Sequence, residues 1–248
     1  MNPLRILVVD DSTSSRMMIK ACLDGIERQV EEADNGEVAF AKFTRGAYDL
    51  VLMDIHMPVL DGYGATAKIR QWENQNGRKP APIIALTALD HQQAVVRTRE
   101  AGCSACVSKP VKKQTLHDAI RALTGIQAGA APSSGGSGFA HKLFGLLKSD
   151  DGAQSYGAVQ AMIPQFLAEK RREVDVISMA AETGDFETVQ MLALRLKGEG
   201  ANFGFREITD LGGEMAAAAT NRDPKKLRKL ADSLANHLDK LETRVAAG

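Results

Sequence analysis

Short apolar runs alternate with amphipathic helical patterns along the first half of the chain. Runs that are apolar throughout, with single helical segments between them, indicate parallel strands that helices bury on both faces. The predicted strands, in chain order, are RILVV, QVEEA, DLVLM, PIIAL and ACVS, of which QVEEA has the weakest pattern. We therefore predict an α/β doubly wound domain with a five-stranded parallel sheet.

The second half of the chain carries helical patterns only. A short helix is predicted in FAHKLFGLLK, at 139–148, and longer helices at 156–181, at 185–203, from 205 onward and at 223–245. The breaks ETGD, NFGF and TNRD are short, and short loops join antiparallel helices. We therefore expect an all-α four-helix bundle.

The segment GIQAGAAPSSGGSG is rich in Gly, Ser and Ala and cannot bury a core. We interpret it as a flexible linker at 125–138, between one domain at 1–124 and a helical domain at 139–248. Two modest domains also agree with the length of 248 residues.

The charge and hydrophobicity of the chain limit the classes of partner that we expect it to bind. The chain has 31 basic and 31 acidic residues, so no net charge draws it to nucleic acid or anionic lipid. The basic residues of DPKKLRKL alternate with leucines, which is typical of a solvated helix face. No apolar run approaches the roughly 20 residues that span a bilayer, and the N-terminal segment is unlike a signal peptide. We expect a cytoplasmic protein that binds neither nucleic acid nor membranes.

Charged and hydroxyl side chains follow four of the predicted strands. Asp10 and Asp11 follow RILVV, Asp54 follows DLVLM, Thr87 follows PIIAL, and Lys109 follows ACVS. The carboxyl ends of parallel strands meet at one edge of a sheet, where open α/β sheets bind their ligands. We therefore expect three carboxylates, a hydroxyl and an ammonium to converge on one site.

Such a site has a defined chemistry. Clustered carboxylates repel one another unless a hard cation lies among them, and Mg²⁺ prefers oxygen ligands and several waters. Asp54 is then a candidate nucleophile for phosphoryl transfer, with Thr87 and Lys109 as ligands of the phosphoryl oxygens. Each residue alone also has an ordinary interpretation, as a helix cap, a turn residue or a surface lysine. Capping does not readily explain all of them together.

The segments ILVVDDS, DLVLMDIHMPVLDGYG, IIALTA and VSKP resemble the receiver domain of two-component response regulators, over residues 3–124. The resemblance implies a CheY-like, flavodoxin-like fold in which Asp54 accepts a phosphoryl group and Thr87 and Lys109 stabilise it. It also implies a cis peptide bond before Pro110. The Mg²⁺ ligands that it implies are Asp10, Asp11, Asp54 and the backbone carbonyl of His56.

Three residues of this half leave alternatives open. The family usually places Tyr or Phe three residues before the lysine, as a ring that swings inward, whereas this chain has Cys106. Cys103 and Cys106 form a C-x-x-C pair, for which small apolar fillers are a simpler interpretation than a redox or zinc site. His56 is either a residue that influences the water of dephosphorylation or an exposed side chain on the rim.

In the second half, LRLKGEGANFGF resembles the histidine phosphotransfer domain, whose pattern is His-x-Leu-Lys-Gly on the second long helix of a four-helix bundle. Leu194 occupies the histidine position, and leucine has no lone pair with which to accept a phosphoryl group. His141 and His237 are not followed by Lys-Gly, and His237 lies in a repeating leucine pattern on the last helix, so we do not expect it to be a substitute acceptor. A naturally degenerate domain and an introduced His-to-Leu change both stay open.

The helix around Leu194 has one apolar stripe, which includes Leu196. Leu194 lies on nearly the opposite side of the helix from Leu196. We expect Leu194 to be exposed and to lie among small side chains that let another protein's backbone approach. The residues of this predicted docking face are Met191, Leu194, Lys197, Gly198 and Ala201.

Our main hypothesis is a two-component phosphorelay signalling protein. Its receiver accepts a phosphoryl group on Asp54 with Mg²⁺, hydrolyses it slowly, and controls a bundle that binds partners without relaying phosphate. The expected partners are a sensor histidine kinase or phosphotransfer protein, a further receiver domain on the bundle, or a second copy of the chain. One alternative is a relay module in which Leu194 replaces the acceptor histidine by engineering or artefact. Another is a passive scaffold whose receiver is never phosphorylated, and none of these is a metabolic enzyme.

Overall fold

A computed structural model of the chain describes residues 3–88, 91–125 and 156–247. The chain divides into two compact units, Met1–Ala153 and Gln154–Gly248. In the described residues, all strands belong to the first unit, and the second unit is helical.

Five parallel strands form one sheet in the first unit, in the order β2-β1-β3-β4-β5. The strands are β1 (Leu4–Val9), β2 (Arg28–Ala33), β3 (Leu50–Asp54), β4 (Ile83–Thr87) and β5 (Ala105–Ser108). The helices that follow them are α1 (Thr13–Cys22), α2 (Gly36–Arg45), α3 (Gly62–Gln75), α4 (His91–Glu100) and α5 (Lys113–Thr124). This strand order is the flavodoxin-like one, which confirms the predicted doubly wound α/β fold.

Side chains of the central strands enter two apolar layers, because successive residues of a strand face opposite sides of the sheet. In β1, Leu7 and Val9 pack with α2 and α3, whereas Ile6 and Val8 pack with α1 and α5. Burying an aliphatic side chain of this size contributes about 1.5–3 kcal/mol. The edge strand β2 instead alternates exposed and half-buried residues, which explains its weak apolar pattern in the sequence.

The second unit is all-helical in its described residues, as predicted. Its helices are α6 (Tyr156–Thr183), α7 (Phe186–Asn202), α8 (Arg206–Thr220) and α9 (Pro224–Ala247). The backbones of α7 and α8 approach closely at Gly212, since a Cβ there would lie 2.6 Å from Lys197 N and 2.8 Å from Ala193 O. Glycine is therefore required at this crossing.

Two predictions for the middle of the chain lie outside the described residues. These are the linker at 125–138, of which only Gly125 is described, and the short helix at 139–148. In the part of the chain that is described, no helix combines the length and the apolar character needed to cross a bilayer.

Four charged side chains form a buried network between α6 and α7. Lys170 and Glu199 are fully buried and form an ion pair. Glu173 Oε1 lies 2.5 Å from Lys170 Nζ and 3.0 Å from Arg195 Nη2. Burial works against the charge of Lys170, but Glu199 and Glu173 outweigh it and hold the lysine pKa above its ordinary value. Two anions thus balance two cations, as buried charges require, and the pairs fix the register of α6 against α7.

Replacing Glu199 by Gln leaves two buried cations beside a single carboxylate. Removing one partner of a buried ion pair costs about 3–5 kcal/mol. We expect the free energy of local unfolding of α6 and α7 to fall by an amount of that order. Hydrogen exchange of their amides in the intact chain measures the loss. Asp210→Asn is the control, because Arg206 and Asp210 form an exposed pair. Equal losses in the two variants would show that the network does not hold the helices together.

Candidate functional site

The predicted polar side chains lie at the carboxyl edge of the sheet. Asp54 is the last residue of β3 and Thr87 the last of β4, while Asp10 directly follows β1 and Lys109 follows β5. Asp10, Asp11 and Asp54 each offer a carboxylate oxygen, and these oxygens lie within 4.8 Å of one another. The structure therefore brings the three carboxylates together as the strand pattern predicts.

Lys109 is buried between two of these carboxylates. Its Nζ lies 2.9 Å from Asp54 Oδ2 and 3.1 Å from Asp10 Oδ2, and 3% of its side chain is exposed. The peptide bond from Lys109 to Pro110 is cis, as the resemblance implies. The Lys109 N–H donates to Thr87 O at 2.7 Å, which joins the ends of β4 and β5. One ammonium thus pairs with two of the three carboxylates, and the negative charges of these four groups outnumber the positive one.

Backbone groups orient the two most buried carboxylates. The Ser12 N–H donates to Asp10 Oδ1 at 3.0 Å, and the His56 N–H donates to Asp54 Oδ1 at 3.3 Å. The start of α3 also lies against the end of β3, since a Cβ on Gly62 would lie 2.1 Å from Asp54 O. A side chain at position 62 would displace Asp54. This glycine therefore helps to position the acidic edge, as we call the carboxyl edge of the sheet with Asp10, Asp11 and Asp54. Ser12 and Gly62 were not among the predicted site residues, although both lie in the sequence segments that carry the receiver resemblance.

His56 is half-buried rather than exposed on the rim. Burial lowers the pKa of its imidazole to about 4, and the nearby charges of Lys109 and Arg97 act in the same direction. The ring is therefore neutral at pH 7. Its backbone lies beside Asp54, which is compatible with the predicted carbonyl ligand, and that role stays a prediction.

The two cysteines of the C-x-x-C pair are buried in the apolar layer of α2 and α3. Burial raises the pKa of the Cys106 thiol to about 11, and it also raises the pKa of Cys103. Both thiols therefore keep their protons at pH 7, which agrees with apolar fillers and not with a redox pair or zinc ligands. Tyr63 packs against the same layer, with the Arg97 guanidinium 4.6 Å from its ring centroid.

The predicted docking face on α7 differs from expectation. Leu194 is half-buried, and Gly198 is buried. The expectation of an exposed Leu194 was wrong because α7 packs on two sides, against α6 through Glu199 and against α8 at Gly212. A helix with two packed sides buries a wider arc than one apolar stripe. The half-buried members of the face are Met191, Leu194, Lys197 and Ala201.

Comparison with known proteins decides the family of the first unit. The family model of the response regulator receiver domain matches residues 6–121, which contain the whole acidic edge. Residues 6–121 are a response regulator receiver domain. Receiver domains are typical of two-component phosphorelay signalling.

The curated proteins similar to this chain include a sensor histidine kinase and a sensor protein. Sensor histidine kinase GacS of Pseudomonas protegens is 33% identical over 122 residues, which cover 49% of this chain and 13% of that protein. Sensor protein EvgS of Escherichia coli K12 is 25% identical over 244 residues, which cover 98% of this chain and 19% of EvgS. The chain thus spans less than a fifth of the length of either relative.

Among solved structures, one similar chain is the receiver domain of a sensor histidine kinase from Pseudomonas aeruginosa PAO1, described with a magnesium ion coordinated in its active site cleft. It is 35% identical, with a TM-score of 0.45, and the match covers 50% of this chain and 99% of that one.

Replacing Asp11 by Asn tests the acidic edge as a metal site. Without Mg²⁺, we expect the variant receiver domain to be more stable than the wild type, because one of three repelling carboxylates is lost. At a Mg²⁺ concentration of about 100 times Kd, we expect the wild type to gain about 2.7 kcal/mol and the variant to gain much less. Urea unfolding with Mg²⁺ and with EDTA measures both effects. Asp34→Asn, an exposed acid that follows β2, should keep the wild-type response, and an equal Mg²⁺ response in Asp11→Asn would contradict the assignment.

Proposed function

We propose that the chain is a two-component phosphorelay signalling protein whose receiver domain accepts a phosphoryl group on Asp54 and thereby controls a partner-binding helical unit. The observation that carries the proposal is the acidic edge, where Lys109 Nζ lies 2.9 Å from Asp54 Oδ2 among three clustered carboxylates. This edge supplies a nucleophile, a cation for phosphoryl oxygens and a set of metal ligands at one place.

Asp54 is the nucleophile in this proposal. One of its carboxylate oxygens attacks the phosphorus of an acyl phosphate or a phosphohistidine, and the P–O or P–N bond to the donor breaks as the donor leaves with the electron pair. The Lys109 ammonium, which is paired with Asp54 before the reaction, then binds a phosphoryl oxygen. The Thr87 hydroxyl, from the end of the adjacent strand β4, binds another.

The donor set of the acidic edge fits Mg²⁺, because its three carboxylates are the oxygen ligands that this ion prefers. The residues that would hold it are Asp10, Asp11, Asp54 and the backbone carbonyl of His56. When bound, the ion neutralises negative charge on the phosphoryl group. The backbone N–H groups of Ser12 and His56 keep Asp10 and Asp54 oriented toward the common site.

The helical unit, in this proposal, is a phosphotransfer-like four-helix bundle that binds and does not relay through position 194. Two observations support it. The similarity to sensor protein EvgS extends over 98% of the chain, and therefore through the helical unit. The ANFGF turn is anchored as a structural element, because the Phe166 ring of α6 stacks on Phe203 at 4.3 Å and on Phe205 at 5.5 Å. Leu194 leaves this scaffold without a nucleophile where the resemblance places one.

The partners follow from the two halves. A sensor histidine kinase or a phosphotransfer protein supplies the phosphoryl group to Asp54. A further receiver domain, or a second copy of this chain, docks on the half-buried apolar residues of α7, Met191 and Leu194. Phosphorylation then changes the population of the docked state, since the two forms of the receiver bind with different free energies.

Acetyl phosphate with Mg²⁺ is expected to add one phosphoryl group to the intact protein, on the peptide that contains Asp54. Asp54→Asn should abolish uptake because an amide is not a nucleophile for phosphorus, and Thr87→Ala should slow it by about 10²-fold. Mass spectrometry of the protein and its peptides measures both. Asp49→Asn, an exposed acid just before the other end of β3, should react like the wild type. A wild type that takes up no phosphate would point to the passive scaffold instead.

Leu194→His separates a binding role from a relay. We expect no transfer from the phosphorylated receiver to the peptide that contains residue 194, because the position is half-buried and Gly198 beside it is covered. We expect Leu194→Ala to weaken binding of a receiver partner about tenfold, by lost apolar contact, as measured by calorimetry. Val245→Ala, which shortens an exposed apolar residue of α9, is the control. Phosphate on the peptide of position 194 in the first variant would favour the relay.

A further inference from the structure

An arginine of α1 reaches back to the acidic edge. The Nη1 group of Arg16 donates to the main-chain carbonyl of Asp10 at 2.7 Å, and its Nη2 group donates to Thr13 Oγ1 at 3.1 Å. The Nε group donates to Oε2 of Glu32, in strand β2, at 2.8 Å. The arginine side chain is 13% exposed. One guanidinium thus joins the end of β1, the start of α1 and the edge strand β2.

The carboxylate of Glu32 holds this guanidinium in place. Its Oε2 accepts from Arg16, and its Oε1 lies 2.5 Å from Lys20 Nζ. The hydrogen bond from Lys20, and to a lesser extent the one from Arg16, lower the pKa of Glu32 below its ordinary value. The glutamate is therefore ionised at pH 7, and charge-assisted hydrogen bonds to a planar guanidinium are directional. The orientation of Arg16 is thus set from the side of β2.

The contact with Arg16 completes the anchoring of the Asp10 backbone. The Asp10 N–H donates to Ala33 O at 3.1 Å, and the Asp10 carbonyl accepts from Arg16. Because a peptide bond is planar, a fixed Asp10 carbonyl also fixes the plane of the peptide that leads to Asp11. The direction in which the Asp11 side chain leaves the backbone therefore depends on Arg16.

Asp11 needs such support more than the other two carboxylates of the acidic edge. Asp10 and Asp54 are buried, and each accepts a main-chain N–H and pairs with Lys109. Asp11 is half-buried and lies one residue further into the loop after β1. The peptide before it is therefore an important determinant of where its carboxylate lies.

We propose that Arg16 is a positioning residue for the Mg²⁺ ligands of the acidic edge. It sets the plane of the Asp10–Asp11 peptide and thereby directs the Asp11 carboxylate toward those of Asp10 and Asp54. Arg16 is not itself a ligand, because a guanidinium has donors and no acceptor. The inference rests on the proposed function, which includes Mg²⁺ among these carboxylates.

The guanidinium has two effects on metal binding, and they have opposite signs. As a cation near the site, Arg16 repels Mg²⁺, so its charge alone predicts that its removal strengthens binding. As a support behind a ligand it favours Mg²⁺, and loss of such a support typically weakens metal binding by about 10- to 100-fold. Since Glu32 already offsets the charge of Arg16, we expect the loss of positioning to dominate.

The test compares Arg16→Gln and Arg16→Lys with the wild type in the intact chain. Calorimetric titration with MgCl₂ should show a dissociation constant that is about tenfold higher or more in both variants. Neither replacement presents a planar fork to all three acceptors of the arginine, although lysine keeps the charge. Arg28→Gln is the matched control and should bind Mg²⁺ like the wild type. Arg28 also donates to a main-chain carbonyl and a carboxylate, those of Lys20 and Asp24, but near the other end of α1.

Two further readouts separate positioning from damage to the fold. The ¹⁵N shift of the Asp11 amide responds to the hydrogen bond on the Asp10 carbonyl, so without metal it should change in both Arg16 variants and not in Arg28→Gln. The rate of phosphoryl uptake from acetyl phosphate should fall at low Mg²⁺ and return to the wild-type rate at saturating Mg²⁺. Urea unfolding in EDTA checks that each variant is folded.

Each outcome decides for or against the inference. Weaker Mg²⁺ binding in both Arg16 variants supports it, and unchanged or tighter binding in Arg16→Gln overturns it. Wild-type binding in Arg16→Lys also overturns it, because charge and not geometry would then be responsible. A wild type that binds Mg²⁺ but takes up no phosphate would refute the proposed function, while the calorimetric comparison would still decide for Arg16. A wild type that binds no Mg²⁺ would overturn both.

Discussion

The receiver domain depends on an imbalance of charge at one edge of its sheet. Three carboxylates from the ends of β1 and β3 share that edge with one buried ammonium, Lys109. The strand order, with β1 beside β3, makes this crowding unavoidable once acids end both strands. Lys109 offsets part of the repulsion, and a divalent cation bound among the carboxylates would offset more of it. The edge therefore favours the binding of cations, and under the proposed function a phosphoryl group there would need them as well.

The helical unit solves the same electrostatic problem in the opposite way. Its buried network contains one lysine, one arginine and two glutamates, so its charges balance without a ligand. Balanced, buried ions are poor binding sites, because any added charge would have to be desolvated as well. The network holds α6 and α7 in register, and the chemistry of the unit is left to its surface.

How far the sequence predicts the structure depends on how local each feature is. The sheet and its acidic edge were predictable because each strand and its terminal residue form one continuous segment, and parallel strands must align their ends. The exposure of Leu194 was not predictable from one helix, since a single stripe does not show that two helices pack against α7. The helical pattern of the sequence places Lys170 among the apolar residues of α6, which indicates a buried charge. It does not identify the partner, because only tertiary packing brings Glu199 of α7 to Lys170. The pairing of Arg16 with Glu32 also joins separate elements, so no periodicity shows it.

These non-local contacts change what the missing histidine means. On α7, the residues three and four positions from Leu194 are Gln190, Met191, Lys197 and Gly198. None of them is a carboxylate, so a histidine at 194 would find no acidic partner within one turn of its own helix. A leucine there adds apolar contact on a half-buried surface, which suits recognition of another protein. Position 194 thus presents an apolar side chain where the resemblance places a nucleophile.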